Sequence, residues 1–189
     1  LVTSEIAAAS NSIIPSDAAV AIVDFGYSHI NVVLIENGRY QFNRYIDQGS
    51  ESIDRTLMSV FDYTEEEIEQ RKRESIDLGT SLSAADDPSQ DFERTSLREV
   101  NIVKNVLDNW ADEFERVFKY YTSRNSGKDV KTILIHGGVT QIKGFDAYLS
   151  KIMGMPVELI SKLNCVKVQD SSISSITPYL NAIGAFIRR

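Results

Sequence analysis

The dipeptide Asn37-Gly38 constrains the fold most, because it stands between two strand-like segments. A type I′ turn needs positive φ at both central residues, and Asn-Gly is the pair that meets this need best. The dipeptide therefore predicts a hairpin of strands at 29–35 and 39–45. An apolar run at 18–23 predicts a buried strand directly before this hairpin.

Length and composition fit one globular domain, or one domain with a small subdomain. Of the 189 residues, 42% are hydrophobic, and the net charge of −7 argues against a dedicated nucleic-acid-binding protein. The single cysteine, Cys165, excludes an internal disulfide and fits a reducing compartment. No apolar run approaches the ~20 residues of a transmembrane helix, and the sequence shows no signal peptide. Because the chain begins on Leu1 rather than Met, we expect it to be part of a longer protein.

Two short motifs follow predicted strands and carry groups that can meet a ligand. Asp24 and Gly26 end the first strand, and a predicted strand at 130–135 leads into Gly137 and Gly138 before a helix. A carboxylate beside bare amides can orient a magnesium-bound or attacking water near a phosphate. Amides at a helix N-terminus suit an anion or the close approach of a flat ring. The structural alternatives are a capping aspartate in an ordinary turn and a tight strand–helix connection.

A predicted helix at 64–75 carries a third motif. Thr64 and Glu67 form a capping box that opens this helix, on which Glu69 and Lys72 are three residues apart and share a face. This pair either contacts a ligand or forms a solvated ion pair on a charged helix. The residues alone leave both possibilities open.

The remaining segments complete an alternation of strands and helices. A polar run at 77–94 with few large apolar residues predicts a mobile loop. His136 has no nucleophile or metal ligand spaced around it, so we expect a satisfied structural histidine. The other predicted elements are a helix at 50–60, a long helix capped by Ser96 that ends within 123–129, a helix bearing Ile142, Phe145, Leu149 and Ile152, a strand at 156–160, a loop at 163–176 and a final helix from Pro178 to Ile187.

Taken in this order, the motifs resemble the second half of actin-like ATPases, and within them the PilM-type assembly proteins of type IV pili, with FtsA as the neighbouring family. The resemblance covers nearly the whole chain and implies an α/β, actin-like (RNase H-like) fold. This fold has a five-stranded mixed sheet flanked by helices and a reduced helical subdomain. The implied organisation is an interdomain helix and linker at 1–17, subdomain 2A at 18–53 and 97–189, and a small inserted subdomain 2B at 54–96.

The resemblance also implies a nucleotide site for ATP or ADP with Mg²⁺. In it, Asp24 is the catalytic residue and holds Mg²⁺ through a water. The implied cofactor-binding residues are Asp24, Gly26, Tyr27 and Ser28 at the phosphates, Glu69 and Lys72 at the ribose and adenine, and Gly137 and Gly138 against the adenosine. Members of these families usually carry a threonine a few residues after the glycine, where this chain has Ile30. Isoleucine offers only its backbone, so hydrolysis is expected to be weak or absent.

The function implied by the resemblance is a nucleotide-binding scaffold of the type IV pilus inner-membrane assembly complex. It would be cytoplasmic and peripheral, at the inner face of the cytoplasmic membrane, and would not bind nucleic acid. Its implied partners are the N-terminal tail of a PilN-type membrane protein, gripped by the first half of the molecule, and the pilus assembly ATPases. The alternatives are an FtsA-like or actin-like filament-forming ATPase, which should pellet with ATP, or a kinase of the same superfold.

Overall fold

A computed structural model describes residues 19–80, 91–124, 128–161, 176 and 180–186. Predictions for the linker at 1–17, for Cys165, for Pro178 and for Ile187 lie outside this set. A short 3₁₀ helix at Gly138–Gln141 follows the fourth strand. The described elements, in chain order, are β1 (Ala19–Phe25), β2 (Ile30–Glu36), β3 (Arg39–Ile46), α1 (Glu51–Phe61), α2 (Glu65–Glu74), α3 (Asp91–Arg124), β4 (Val130–Gly137), α4 (Phe145–Met153), β5 (Val157–Leu159) and α5 (Leu180–Phe186).

The five strands form one mixed sheet in the order β3-β2-β1-β4-β5. The first three strands are antiparallel, and β4 and β5 run parallel to β1 and to each other. The β2–β3 turn has φ of 52° at Asn37 and 68° at Gly38, as the hairpin prediction required. In the sheet, Asp24 is the partner of His136 and Phe25 is the partner of Gly137. The carboxyl ends of β1 and β4 therefore meet at one edge of the sheet.

Both faces of the sheet are covered, because alternate residues of β1 and β2 enter two separate hydrophobic clusters. On one face, Phe25 packs its ring against Trp110, Phe114 and Phe145, with centroids 5.5, 5.9 and 5.1 Å away. On the other face, Val20, Ile22, Val33 and Ile35 pack with Leu180 of α5. The long helix α3 is thus a core helix lying on a sheet, as its aromatic second half predicted.

The Thr64 capping box is present as predicted: the Thr64 N–H donates to Glu67 Oε2 at 2.8 Å, and the Glu67 N–H donates to Thr64 Oγ1 at 3.3 Å. The prediction that Ser96 caps the long helix is wrong, because α3 begins at Asp91 and Ser96 lies inside it. An apolar stripe marks the part of a helix that packs, and α3 continues beyond the start of that stripe.

The mobile-loop prediction for 77–94 is wrong at both ends. Leu78 is buried, its N–H donates to the Lys143 carbonyl at 2.9 Å, and Asp77 pairs with Lys143 in a parallel β-bridge. The other end belongs to α3, while 81–90 lie outside the described residues. None of the described helices is long and apolar enough to cross a membrane. The division into 2A and 2B stays a prediction.

Candidate functional site

The turn between β1 and β2 is bonded to the start of α1. The Ser50 N–H donates to the Gly26 carbonyl at 3.1 Å, and the Glu51 N–H donates to the Tyr27 carbonyl at 3.0 Å. Gly49 permits this approach, since a Cβ there would lie 2.1 Å from the Tyr27 carbonyl oxygen. The turn is therefore fixed in position by helix backbone rather than left free at the tip of the hairpin.

This geometry determines which amides of the turn can meet an anion. The Gly26 N–H donates to the His29 carbonyl at 3.2 Å and is occupied. The N–H groups of Tyr27 and Ser28 donate to no acceptor among the described residues. The Ser28 hydroxyl lies 3.1 Å from His29 Nδ1. Gly26 thus shapes the turn, and the available donors come from the two residues that follow it.

The Asp24 carboxylate at the end of β1 has two side-chain neighbours. Asn181 Nδ2 of α5 donates to Asp24 Oδ2 at 2.7 Å, and His136 Nδ1 of β4 lies 3.5 Å from Asp24 Oδ1. No pattern in the sequence indicates this contact, because Asn181 is 157 residues away from Asp24 along the chain. Asp24 is therefore held in place by α5 and not by the hairpin alone.

His136 is buried, with 1% of its surface exposed, as a structural histidine should be. Burial lowers the pKa of His136, against the attraction of the Asp24 carboxylate, which raises it. The expectation that the ring is fully satisfied is wrong for the described residues, where its Nε2 has no hydrogen-bond partner.

The two glycines after β4 have different structural roles. Gly137 has φ of 113°, and a Cβ there would lie 2.3 Å from the Phe25 carbonyl oxygen. A Cβ on Gly138 would meet nothing within 4 Å. The predicted helix does not follow the pair directly, because the 3₁₀ helix intervenes and α4 begins after Gly144. The prediction of α-helical amides at this point is therefore wrong, and Gly138 instead leaves open space beside the backbone.

The pair on α2 is more buried than a solvated ion pair. The Lys72 side chain is 9% exposed, its Nζ lies 2.9 Å from Asp54 Oδ1, and it also contacts the Glu69 carboxylate. Desolvation raises the pKa of Asp54, and the positive charge of Lys72 partly offsets this. Lys72 thus joins α2 to α1, while the half-exposed Glu69 remains available to solvent.

A buried carboxylate fixes the position of α2. Glu99 of α3 is fully buried, accepts a hydrogen bond from the Tyr63 hydroxyl at 2.8 Å and lies 2.9 Å from Arg71 Nη1. Because a buried charge is costly unless it is paired, this contact holds α2 firmly against the long helix. The Glu69 and Lys72 positions are consequently set by the core of the domain.

The β1–β2 turn, helix α2 and the segment after β4 surround one cleft of about 340 Å³. Seven of the eight predicted site residues line it, and Ser28 does not. Ile30 is fully buried in the core, so its side chain takes no part. The lining residues are Asp24, Phe25, Gly26, Tyr27, Ser50, Glu69, Lys72, Arg73, Gly137, Gly138, Val139, Gln141, Ile142 and Asn181.

The lining fits a nucleotide with a hydrated magnesium ion. No group of three or more His, Cys, Asp or Glu residues that could hold a metal occurs among the described residues. Mg²⁺ retains most of its waters and is commonly bound by one or two carboxylates together with substrate phosphates, so a single carboxylate such as Asp24 is a suitable protein ligand. The open space at Gly138 and the exposed Glu69 carboxylate suit a flat base and hydroxyl groups, respectively.

Comparison with known families identifies the chain. Residues 6–189 match the family model of the type IV pilus assembly protein PilM. The chain belongs to the PilM family. No curated protein matches the sequence.

Several solved structures are similar in fold to this PilM-family chain. A chain of the PilM–PilN type IV pilus biogenesis complex matches at 15% identity and a TM-score of 0.64. The match covers 89% of this chain and 45% of that one. MreB 5 of Spiroplasma citri bound to AMPPNP matches at 16% identity and a TM-score of 0.58, over 83% of this chain and 53% of that one. An archaeal actin homologue matches at 12% identity and a TM-score of 0.56, over 97% of this chain and 51% of that one. The fold is therefore actin-like, and the chain spans about half the length of these relatives.

Proposed function

We propose that this chain forms one wall of a Mg²⁺-nucleotide site in a PilM-type scaffold for type IV pilus assembly. The observation that carries the proposal is the convergence of three distant motifs on one cleft. Asp24 and Gly26, Glu69 and Lys72, and the glycine pair at 137–138 come from separate elements and line the same space.

The cleft residues suggest a role for each part of ATP or ADP. The Tyr27 amide would face phosphate oxygens, and Asp24 would hold Mg²⁺ through a water. Mg²⁺ would neutralise phosphate charge when bound. Glu69 would accept hydrogen bonds from ribose hydroxyls, and the open surface at Gly138 would lie against the base.

We propose that the nucleotide acts as a conformational ligand and is not turned over by this chain. The cleft offers a single protein wall, so the triphosphate would remain largely solvated. Ile30 also provides no hydroxyl donor. We expect an ATP affinity no tighter than roughly millimolar, about −4 kcal/mol.

The assembly role is part of the same proposal. The scaffold would work at the cytoplasmic face of the inner membrane and connect a PilN-type protein to the pilus assembly ATPases. The chain covers 45% of the matched chain from the PilM–PilN complex, and we propose that the PilN tail is gripped outside that part. A pull-down of this chain with the tail peptide should therefore show no binding, and micromolar binding would place the grip within residues 1–189.

Saturation-transfer NMR with ATP tests the nucleotide site directly. Adenine and ribose protons should receive saturation from the protein at millimolar ATP, and Glu69→Gln should weaken the ribose signal. Glu66→Gln is the matched control, because Glu66 is exposed on the same helix and does not line the cleft. Absence of any transfer to ATP, or equal transfer in Glu69→Gln and wild type, would contradict the assigned site.

A further inference from the structure

Asn181 presents an unexplained buried atom beside the Asp24 carboxylate. Its Nδ2 donates to Asp24 Oδ2 at 2.7 Å, while its Oδ1 is buried and has no hydrogen-bond partner among the described residues. Most buried side-chain polar atoms have a partner, so an amide that leaves its oxygen unpaired points to a specific role for the bond that its Nδ2 makes.

The orientation of the amide is fixed by its neighbour. If the Asn181 amide were flipped, its oxygen would face the Asp24 carboxylate, and two acceptors would oppose each other. The Nδ2 group must therefore face Asp24, and Oδ1 must face away from it. Asn181 lines the cleft, so this fixed amide contacts Asp24 at the wall of the space that a ligand would occupy.

The position of Asn181 does not depend on this hydrogen bond alone. Leu180, the preceding residue, is fully buried in the second core cluster, and Ile183 packs against the same cluster. These apolar contacts anchor α5 to the sheet face. The amide group is therefore available for a role other than holding the helix.

We propose that Asn181 is a positioning residue for Mg²⁺. Its Nδ2 holds the Asp24 carboxylate in the orientation that binds a water of the ion. This inference rests on the proposed nucleotide site. Mg²⁺ fits the role because it keeps several waters in a strict octahedral arrangement, which outer groups must match.

The test compares ATP binding with Mg²⁺ and with excess EDTA, by amide shift titration of the isotope-labelled 189-residue chain. Wild type should bind ATP more tightly with Mg²⁺. Asn181→Ala should lose roughly tenfold or more of this magnesium-dependent gain, as expected for an outer-shell group. Its affinity for metal-free ATP should remain unchanged. Ala182→Ser, at an exposed position on the same helix, should behave as wild type.

A second variant distinguishes the loss of the hydrogen bonds from a folding defect. Asn181→Leu keeps similar volume and removes both hydrogen-bonding atoms, so it should reproduce the loss seen in Asn181→Ala. A parallel fall in affinity with and without Mg²⁺ would indicate a merely structural role and overturn the inference. A full magnesium-dependent gain in both variants would also overturn it. If wild type binds ATP under neither condition, the proposed function fails and this inference fails with it.

Discussion

The adjacent glycines at 137 and 138 provide a matched pair for testing how the cleft is built. Gly137→Ala places a Cβ 2.3 Å from the Phe25 carbonyl oxygen and 2.9 Å from the Phe25 carbonyl carbon, at a backbone φ of 113°. A sparsely populated backbone conformation costs about 1–3 kcal/mol, and overpacking costs about 1–3 kcal/mol. We therefore expect a loss of about 2–6 kcal/mol in the free energy of unfolding.

Gly138→Ala is the control, because a Cβ there meets nothing within 4 Å and the residue has no positive φ. Its free energy of unfolding should stay within about 0.5 kcal/mol of wild type. Urea denaturation measures both variants, and the midpoint should fall for Gly137→Ala alone with an unchanged slope. Equal stability of Gly137→Ala and wild type, or an equal loss in both variants, would refute the close approach of β1 and β4 at this point.

Two ionic contacts give further predictions. Hydrogen bonds from Lys128 and then Tyr121 lower the pKa of Glu36, so their stabilisation is present above the ordinary pKa of glutamate and is lost as pH falls through the lowered value. Glu36→Gln should cost about 1 kcal/mol at pH 7 and flatten the acid limb of stability against pH, as followed by thermal melts; an unchanged limb would contradict this. Lys72→Met should cost about 3 kcal/mol at pH 7, because it leaves the buried Asp54 carboxylate unpaired. The loss should shrink as pH falls and Asp54 takes a proton. Adding Asp54→Asn should restore most of the lost stability, as measured by urea titration. A loss independent of pH would show that the Asp54 charge is not the cause.

Local signals in the sequence predicted local structure well. The Asn37-Gly38 turn and the Thr64 capping box depend on a few neighbouring residues, and both are present as predicted. The Ser96 cap failed because the apolar stripe marks where α3 packs and not where it begins. Seven of the eight residues that the resemblance predicted line the cleft, but the other seven of its fourteen lining residues, Asn181 among them, were not predicted.

Contacts between distant segments could not be predicted from the sequence. The bond from Asn181 to Asp24 spans 157 residues, and no local pattern around Asn181 indicates it. The same holds for Asp54, whose partner Lys72 lies on another helix, and for Leu78, whose N–H donates to the carbonyl of Lys143. In each case the partner is chosen by the packing of the whole domain.

Backbone amide shifts during ATP titration test the central claim most directly. We predict shifts confined to the cleft, at Gly26, Tyr27, Gly137 and Gly138, in the presence of Mg²⁺. Amides at the opposite end of the strands, such as that of Met155 just before β5, should not move. If no cleft amide shifts at high millimolar ATP, or if the shifts map away from the cleft, the account of this wall as a nucleotide site is contradicted.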